Sequence, residues 1–372
     1  MKRAYFSEPS NKRPKRSLLE VVFLGVCKNG LVASTSFILH KNQISKRVLN
    51  EALTISCLNG HASVAMLLIE HGAKIHGRYQ SIIKTICELG HSQIIQLFIN
   101  LKLNLQYGNN APFRYACQYN RPEIASMLIH SFVEAGANIS ECISNKLFLK
   151  ACRKGYTGIA KILLEYGANI NAENGKPLCE ACTCGNMELV KLLISCGANV
   201  NAENGTPLCE ASSKGHLELV ELLLNNGAEI NCNNSEALKC ACIEGKLQIV
   251  RFLVEHGANI HECNNIALVC ACLYGRLEIV KYLHEKGGIL VSEALECACR
   301  KGYLEVVKYL VENGANVLAN NYAAAKWAKH NGHQEVFVYM LEQIEAIQEK
   351  EVEEMAKQKE KMKKECTGKY TM

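Results

Sequence analysis

Residues 171–200 read NAENGKPLCEACTCGNMELVKLLISCGANV, and the two stretches that follow have the same length and closely similar sequences. Residues 201–230 read NAENGTPLCEASSKGHLELVELLLNNGAEI, and residues 231–260 read NCNNSEALKCACIEGKLQIVRFLVEHGANI. The period is therefore thirty residues. Self-similarity at a fixed period of roughly 20–50 residues is typical of repeat architectures.

The register of the repeat can be anchored on a glycine in the middle of each unit, which we number position 0. The spacing is thirty residues except for five extra residues after Asn120 and three fewer before Gly302. The occupants of position 0 are Gly30, Gly60, Gly90, Asn120, Gly155, Gly185, Gly215, Gly245, Gly275, Gly302 and Gly332. Asn is the usual substitute where the backbone is left-handed. Eleven units in one register predict eleven structural modules.

Other positions repeat in the same register. Positions −7 and +8 are apolar throughout, and the apolar residues around them follow helical spacing. We expect a short helix before the central glycine and a longer one after it, ended by a second glycine such as Gly197 or Gly227. Thr206, Ser235 and Ser292 are predicted to cap the first helix. No single unit can bury its own apolar face, so neighbouring units must stack.

The middle of the chain resembles the ankyrin repeat family. Thr206-Pro207-Leu208, Gly215-His216 and Gly227-Ala228 match the family pattern TPLHxAAxxGHxEVVxLLLxxGA, and the resemblance covers roughly residues 18–345. It implies an all-α ankyrin-repeat α-solenoid of about eleven helix–turn–helix units with short inter-repeat loops. The usual unit has about 33 residues, so the finger loop should be about three residues shorter. The sequence of the thirty-residue unit is similar to that of repeats in proteins of giant amoebal viruses.

The predicted organisation has three parts. Residues 1–17 form a basic disordered leader, and residues 346–372 form a charged C-terminal helix and tail. The repeats between them are placed at approximately 18–46, 48–77, 78–106, 107–141, 142–172, 173–202, 203–232, 233–262, 263–289, 290–319 and 320–345. The apolar stripe after residue 341 is too loose for a firm coiled coil, so an exposed helix is favoured over a dimerisation helix. We expect a monomer.

The charge is concentrated at the N-terminus. The formal net charge is +6, and the first sixteen residues hold six basic residues and one acidic residue, or +5, which leaves about +1 for the rest. A nearly neutral body argues against a nucleic-acid partner. The cluster Lys12, Arg13, Lys15 and Arg16 is either a nuclear import signal or a solvated charged tail.

The twenty cysteines suggest a disulfide scaffold or a metal site at first sight. The repeat register explains them better, because position −3, where the ankyrin pattern has a small Ala, is Cys in nine units: Cys27, Cys57, Cys87, Cys117, Cys152, Cys182, Cys242, Cys272 and Cys299. Buried Cys behaves as a small hydrophobic residue. Residues two apart on a helix, as in Cys240-Ala-Cys242, point about 200° apart and cannot share one metal ion. A zinc or redox role is the minor alternative.

The chain carries no clear signal peptide and no apolar run approaching the ~18 residues of a membrane span. We therefore expect an intracellular protein, cytoplasmic or nuclear and not secreted, without membrane contact. The histidines His61, His91, His216 and His333 all follow the central glycine, so a packing role is favoured over catalysis. No catalytic, cofactor-binding or metal-ligating residues, no cofactor and no small-molecule substrate are predicted. The chain should not be an enzyme.

The remaining variable positions should bind a partner. The resemblance implies that the concave face is lined by loop tips and by the pair at positions −2 and −1. Tyr and Arg are over-represented among residues that carry binding energy. The predicted partner-binding residues are Tyr119, Arg153, Lys154, Tyr274, Arg300 and Lys301. The leading hypothesis is a non-enzymatic protein–protein interaction scaffold that holds one protein partner, for instance a host protein. The alternative is an adaptor that recruits a host protein to a degradation or modification complex.

Overall fold

The computed structural model describes residues 16–75, 79–140 and 142–368, and every regular element within these ranges is a helix. Twenty-two helices form eleven helix–turn–helix pairs in the described ranges. The fold is therefore the predicted all-α stack of paired helices. None of the described helices combines the length and apolar character that crossing a bilayer requires.

The first helix of each pair precedes the central glycine position. These helices are α1 (Leu18–Lys28), α3 (Lys46–Leu58), α5 (Tyr79–Leu89), α7 (Tyr107–Gln118), α9 (Asn145–Lys154), α11 (Ala172–Cys184), α13 (Ala202–Lys214), α15 (Cys232–Glu244), α17 (Glu262–Leu273), α19 (Ser292–Lys301) and α21 (Ala319–His330).

The second helix of each pair follows the central position. These helices are α2 (Val32–Lys41), α4 (Ala62–Glu70), α6 (Ser92–Asn100), α8 (Pro122–Glu134), α10 (Thr157–Glu165), α12 (Met187–Ser195), α14 (Leu217–Asn225), α16 (Leu247–Glu255), α18 (Leu277–Glu285), α20 (Leu304–Glu312) and α22 (Gln334–Gly368).

The chain divides into two compact units. Unit 1 comprises the described residues up to Ala151 together with Tyr156–Ala168, and unit 2 comprises Cys152–Gly155 and the described residues from Asn169 onward. In unit 2 each first helix from α11 to α21 packs on the next first helix, and in unit 1 the same holds from α1 to α7. Each unit is thus a stack in which neighbouring pairs share their apolar faces.

The predicted core positions are confirmed. Every residue at position −7, from Phe23 to Ala325, and every residue at position +8, from Ile38 to Met340, is buried. All nine cysteines at position −3 are buried as well. The core is therefore a column of Leu, Ile, Val, Ala and Cys side chains that repeats with the sequence period.

The prediction that the second helix is the longer of each pair is wrong in most pairs. Helix α11 has 13 residues, whereas α12 has nine. The extra length comes from three residues with positive φ at the start of α11, namely Glu173 (49°), Asn174 (61°) and Gly175 (90°). The same left-handed turn opens α7, α13, α15, α17 and α21. Asn and Gly tolerate this backbone conformation at least cost, so a left-handed turn joins one pair to the next.

The left-handed turn also changes how the first helices begin, and the predicted capping by Thr206, Ser235 and Ser292 is wrong. Ser235 lies in the turn itself, and its hydroxyl donates to Asn231 Oδ1 at 3.0 Å. The Thr206 hydroxyl donates to the Glu203 carbonyl at 2.8 Å. Ser292 is already the first residue of α19. A reciprocal capping box does occur on α1, where Ser17 and Glu20 bond each other's backbone.

The central position is left-handed in all eleven units, as predicted, with Asn120 at φ 53°. At the central glycines that are followed by another repeat, the side chain at position +1 of that repeat covers the backbone and leaves little room for a Cβ. A Cβ at Gly185 would lie 2.5 Å from the His216 ring, and one at Gly302 would lie 2.4 Å from the ring of His333. His333 Nε2 also donates to the Arg300 carbonyl at 3.0 Å. Histidine after the glycine thus joins adjacent repeats.

Asparagines at position −14 connect successive inter-repeat loops of unit 2. The Asn201 side-chain amide donates to the Gly227 carbonyl at 3.0 Å, and its oxygen accepts from the Glu229 amide at 2.9 Å. Asn171 and Asn231 make the equivalent pair of bonds. Each such Asn satisfies a donor and an acceptor in the loop that follows its own helix pair, so successive loops are held together without a long finger.

Candidate protein-binding surface

The first helices expose one face that the second helices do not cover. Positions −9, −5 and −2 lie on one side of a helix because residues three and four apart are neighbours. With position −1 they form the surface that we call the first-helix face. In unit 2 the residue at −2 of one repeat contacts the residue at −5 of the next in three pairs: Arg153 with Glu180, Thr183 with Glu210, and Arg300 with Trp327. We call the succession of −2 and −5 positions along unit 2 the row. It differs in character at three points, namely its start, its middle and its C-terminal end.

The first of these points is charged. Arg153 donates to Glu180 through two nitrogens, with Nε–Oε2 at 2.9 Å. The Arg153 guanidinium holds the pKa of the Glu180 carboxyl below its usual value. In the next repeat the Thr183 hydroxyl donates to Glu210 Oε2 at 3.0 Å. The predicted binding residue Arg153 is therefore already paired with a carboxylate, and Lys154 beside it is exposed.

The middle of the row is apolar. Ile243 and Leu273 occupy position −2 and are half-buried, while Cys270 and Cys297 at position −5 are buried. Burial raises the pKa of both thiols, so they are neutral at physiological pH. This stretch offers a partner apolar contact instead of charge.

The C-terminal end of the row carries an aromatic and cationic cluster. The Arg300 guanidinium lies over the Trp327 ring, 5.8 Å from its centroid. Trp327 is 40% exposed and Tyr274 is 44% exposed. Lys301 is exposed as well. We call Tyr274, Arg300, Lys301 and Trp327 the aromatic–cation cluster.

Sequence reasoning missed Trp327, although its signal was present. Trp327 occupies position −5 of the last unit, and position −5 is the one that meets position −2 of the preceding repeat. The ankyrin resemblance points to the pair at −2 and −1 and does not single out position −5. The contact between Arg300 and Trp327 depends on how adjacent repeats are offset.

The predicted binding residues fall in different places. Arg153, Lys154, Tyr274, Arg300 and Lys301 belong to unit 2, whereas Tyr119 belongs to unit 1, where it is half-buried directly after α7. Their role in binding stays a prediction.

The predicted basic cluster lies mostly outside the described residues. Lys12, Arg13 and Lys15 fall outside them, and Arg16 forms an ion pair with Glu51. Nuclear import therefore stays a prediction.

The cysteines at position −3 follow the packing interpretation. None of the cysteines from Cys27 to Cys299 is in a disulfide bond, and the described residues contain no group of three His, Cys, Asp or Glu residues that could hold a metal ion. Burial raises the pKa of Cys57 and of Cys87 to about 12. These sulfurs fill space between helices.

Comparison with known proteins gives the following matches. The sequence profile of ankyrin repeats in three copies matches residues 53–141, 132–204, 147–234 and 208–293, and the single ankyrin repeat profile matches residues 294–322. The crystal structure of the human ASB11 ankyrin repeat domain is similar at 26% sequence identity and a TM-score of 0.46, covering 52% of this chain and 96% of that one. No curated protein sequence matches the chain.

Proposed function

The chain belongs to the ankyrin repeat family, and from this premise we propose that it is a non-catalytic scaffold that binds a protein partner through its first-helix face. Ankyrin repeats generally mediate protein–protein interaction. The repeat positions that stack against one another are buried, so the exposed first-helix positions are those free to differ from repeat to repeat. In the resemblance described above, this face corresponds to the concave binding face.

The observation that carries the proposal is the aromatic–cation cluster of unit 2. Tyr274 and Trp327 expose aromatic surface, and Arg300 and Lys301 lie in the repeat between them. Trp, Tyr and Arg are the residue types enriched among those that carry most of the binding energy in protein interfaces. The half-buried Ile243 and Leu273 extend the surface with apolar area. A partner that combines apolar and acidic or aromatic side chains fits this chemistry.

The experiment is affinity capture of the full chain from the native host cell, followed by mass spectrometry and a binding titration with the captured protein. Tyr274→Ala combined with Trp327→Ala should weaken binding by about tenfold or more, because hot-spot residues cost about 2 kcal/mol or more when truncated. Lys308→Ala combined with Val338→Ala is the control, since both residues lie on second helices. Equal effects of the two variants would refute the proposal.

The adaptor role is distinguished by the same capture. Recovery of subunits of a degradation or modification complex together with a substrate protein would support the adaptor. Recovery of a single stable partner supports the scaffold. Turnover of a small molecule by the purified chain, without a stable partner, would overturn both. The viral origin suggested by the thirty-residue repeat sequence stays a prediction. The cytoplasmic or nuclear location stays a prediction as well.

A further inference from the structure

We propose that a basic cleft in unit 1, between α7 and the start of α9, binds an acidic segment of a protein partner through its carboxylates. This inference deepens the proposed function and rests on it. The cleft has a volume of about 340 Å³ and is lined by Asn109, Arg114, Gln118, Ser144, Lys146 and Lys150, with Leu147 at its side. We call it the α7–α9 cleft.

The cleft exists because α7 and α9 pack less closely than the preceding first helices of unit 1 do. Four of the five extra residues between Asn120 and Gly155 lengthen α8, which has 13 residues where α6 and α10 have nine. Ser144 lies directly before α9. The opening lies on the first-helix face, where a partner is proposed to bind.

The charge of the cleft is not compensated by any described residue. Arg114, Lys146 and Lys150 are exposed, and none of the three forms an ion pair within the described ranges. Among the described residues the lining contains no carboxylate. Its other polar groups are the amides of Asn109 and Gln118 and the hydroxyl of Ser144, all of which can donate hydrogen bonds. The cleft is therefore a set of donors and positive charges without an internal acceptor of matching charge.

Equivalent positions in unit 2 show that this is not a property of every repeat. Lys176 occupies position −9, as Lys146 does, and lies 3.3 Å from a Glu173 carboxylate oxygen. Lys239 occupies position −6, as Arg114 does, and pairs with Glu236. Position −5, which is Lys150 in the cleft, is Glu180 in the next repeat. Basic residues at equivalent positions of unit 2 have carboxylate partners. The described lining of the α7–α9 cleft provides none.

The ligand class follows from these donors. The Arg114 guanidinium can bind a carboxylate with two parallel hydrogen bonds, and the two ammonium groups add charge-assisted bonds. The volume is at the lower end of small-ligand sites, which span roughly 300–1,000 Å³, and accommodates one or two acidic side chains. The apolar side of Leu147 suits the aliphatic part of a Glu side chain better than a sugar–phosphate backbone.

The test is fluorescence anisotropy of the full chain with labelled hexaglutamate, using labelled hexaglutamine as the neutral probe. Hexaglutamate should bind, hexaglutamine should not, and added salt should weaken binding because surface charges are screened. Lys146→Glu combined with Lys150→Glu should lower the affinity by about tenfold or more. Lys161→Glu, an exposed reversal on α10 of the same unit, should change it by less than about twofold. Arg114→Gln gives a milder second variant, and thermal unfolding checks that each variant is folded.

Several outcomes would overturn the inference. Equal binding of hexaglutamine, or equal loss in Lys161→Glu and in the cleft variants, would remove the α7–α9 cleft from recognition. Displacement of the peptide by inorganic phosphate would indicate a phosphate site, and tighter cleft-dependent binding of a single-stranded oligonucleotide would indicate nucleic acid. The proposed function is tested separately by Tyr274→Ala with Trp327→Ala. If hexaglutamate fails while those substitutions still reduce partner capture, only this inference falls.

Discussion

Glycines fill two different roles in the repeat, and the difference can be measured at single residues. Gly185 at position 0 has φ 76° and lies under the His216 ring of the next repeat. Gly197, at the end of α12 in the same unit, has φ 88° with nothing within 4 Å of a Cβ. Both need a left-handed backbone, but only Gly185 also needs the absence of a side chain.

Replacing these two glycines by alanine should therefore have unequal effects. Gly197→Ala should cost about 1–2 kcal/mol of unfolding free energy, the usual cost of a left-handed L-residue. Gly185→Ala should cost about 1–3 kcal/mol more, because its Cβ overpacks against His216. Urea unfolding followed by circular dichroism measures both. Equal losses would show that His216 moves aside freely.

The asparagines at position −14 of unit 2 give a second prediction for a single residue. Asn201→Ala removes two hydrogen bonds to the loop after α14 and should cost about 1–3 kcal/mol, at about 0.5–1.5 kcal/mol for each bond. Asn226→Ala is the matched control, since Asn226 bonds only the Leu222 carbonyl of its own helix. Equal urea midpoints for the two variants would show that the hydrogen bonds of Asn201 do not contribute to stability.

Helix packing decides stability at the scale of the element. Leu253 in α16 is fully buried at position +8, and Leu253→Ala should cost about 2–5 kcal/mol because it leaves a void between neighbouring helices. Lys301→Ala, at the exposed end of α19, should leave the unfolding free energy nearly unchanged. Urea melts of both variants provide the measurement. Similar losses would mean that the assigned register is wrong.

Helix α22 is a second helix whose stability depends on how much of its length is packed. It runs without a break through the predicted boundary after residue 345, and Ile344 is its last buried residue in the described range. Val352 is 62% exposed. Residues 348–360 of α22 are exposed, so this stretch does not bury the apolar face that stabilises most protein helices.

Removing residues 351–372 should therefore lower the helical circular dichroism signal but leave the thermal stability of the rest within about 0.5 kcal/mol. Differential scanning calorimetry of the shortened and full chains measures this. A large drop in the unfolding temperature would instead indicate that the exposed stripe with Val352 is covered, for example by a second copy, and would contradict the expected monomer.

Across the whole molecule, the buried thiols make stability depend on alkaline pH. Burial raises the pKa of Cys57 and of Cys87 from 9.0 to about 12. Above pH 9 the unfolded chain loses thiol protons that the folded chain keeps, so stability is fully present below about pH 9 and is lost as the pH rises toward 12.

Cys57→Ala combined with Cys87→Ala should flatten this decline between about pH 9 and pH 12. Urea unfolding of both chains at several pH values measures the slope. The exposed Cys184 and Cys196 provide the control pair, because their substitution should not alter the slope. An unchanged slope in the Cys57 and Cys87 variant would mean that other groups govern the decline.

The repeat period, the buried columns at −7, −3 and +8, and the left-handed central position could all be predicted from the amino-acid sequence. These features are local or periodic, and polarity and glycine placement encode them directly. The turn that opens the first helices was mispredicted because Thr206 and Ser235 match a capping pattern that the left-handed Asn-rich turn overrides. Residue type and repeat position predict Arg153 as a binding residue, but neither reveals that Glu180 pairs with it.

Only the tertiary structure decided the contacts between repeats. The offset between neighbours places Arg300 over Trp327, joins Asn201 to the next loop, and opens the α7–α9 cleft around Lys146 and Lys150. A sequence period states that units stack, but the offset and the separation of adjacent helices come from side-chain packing between units. The fold was therefore determined by the sequence pattern, and the chemistry of the binding surfaces by how the repeats are packed.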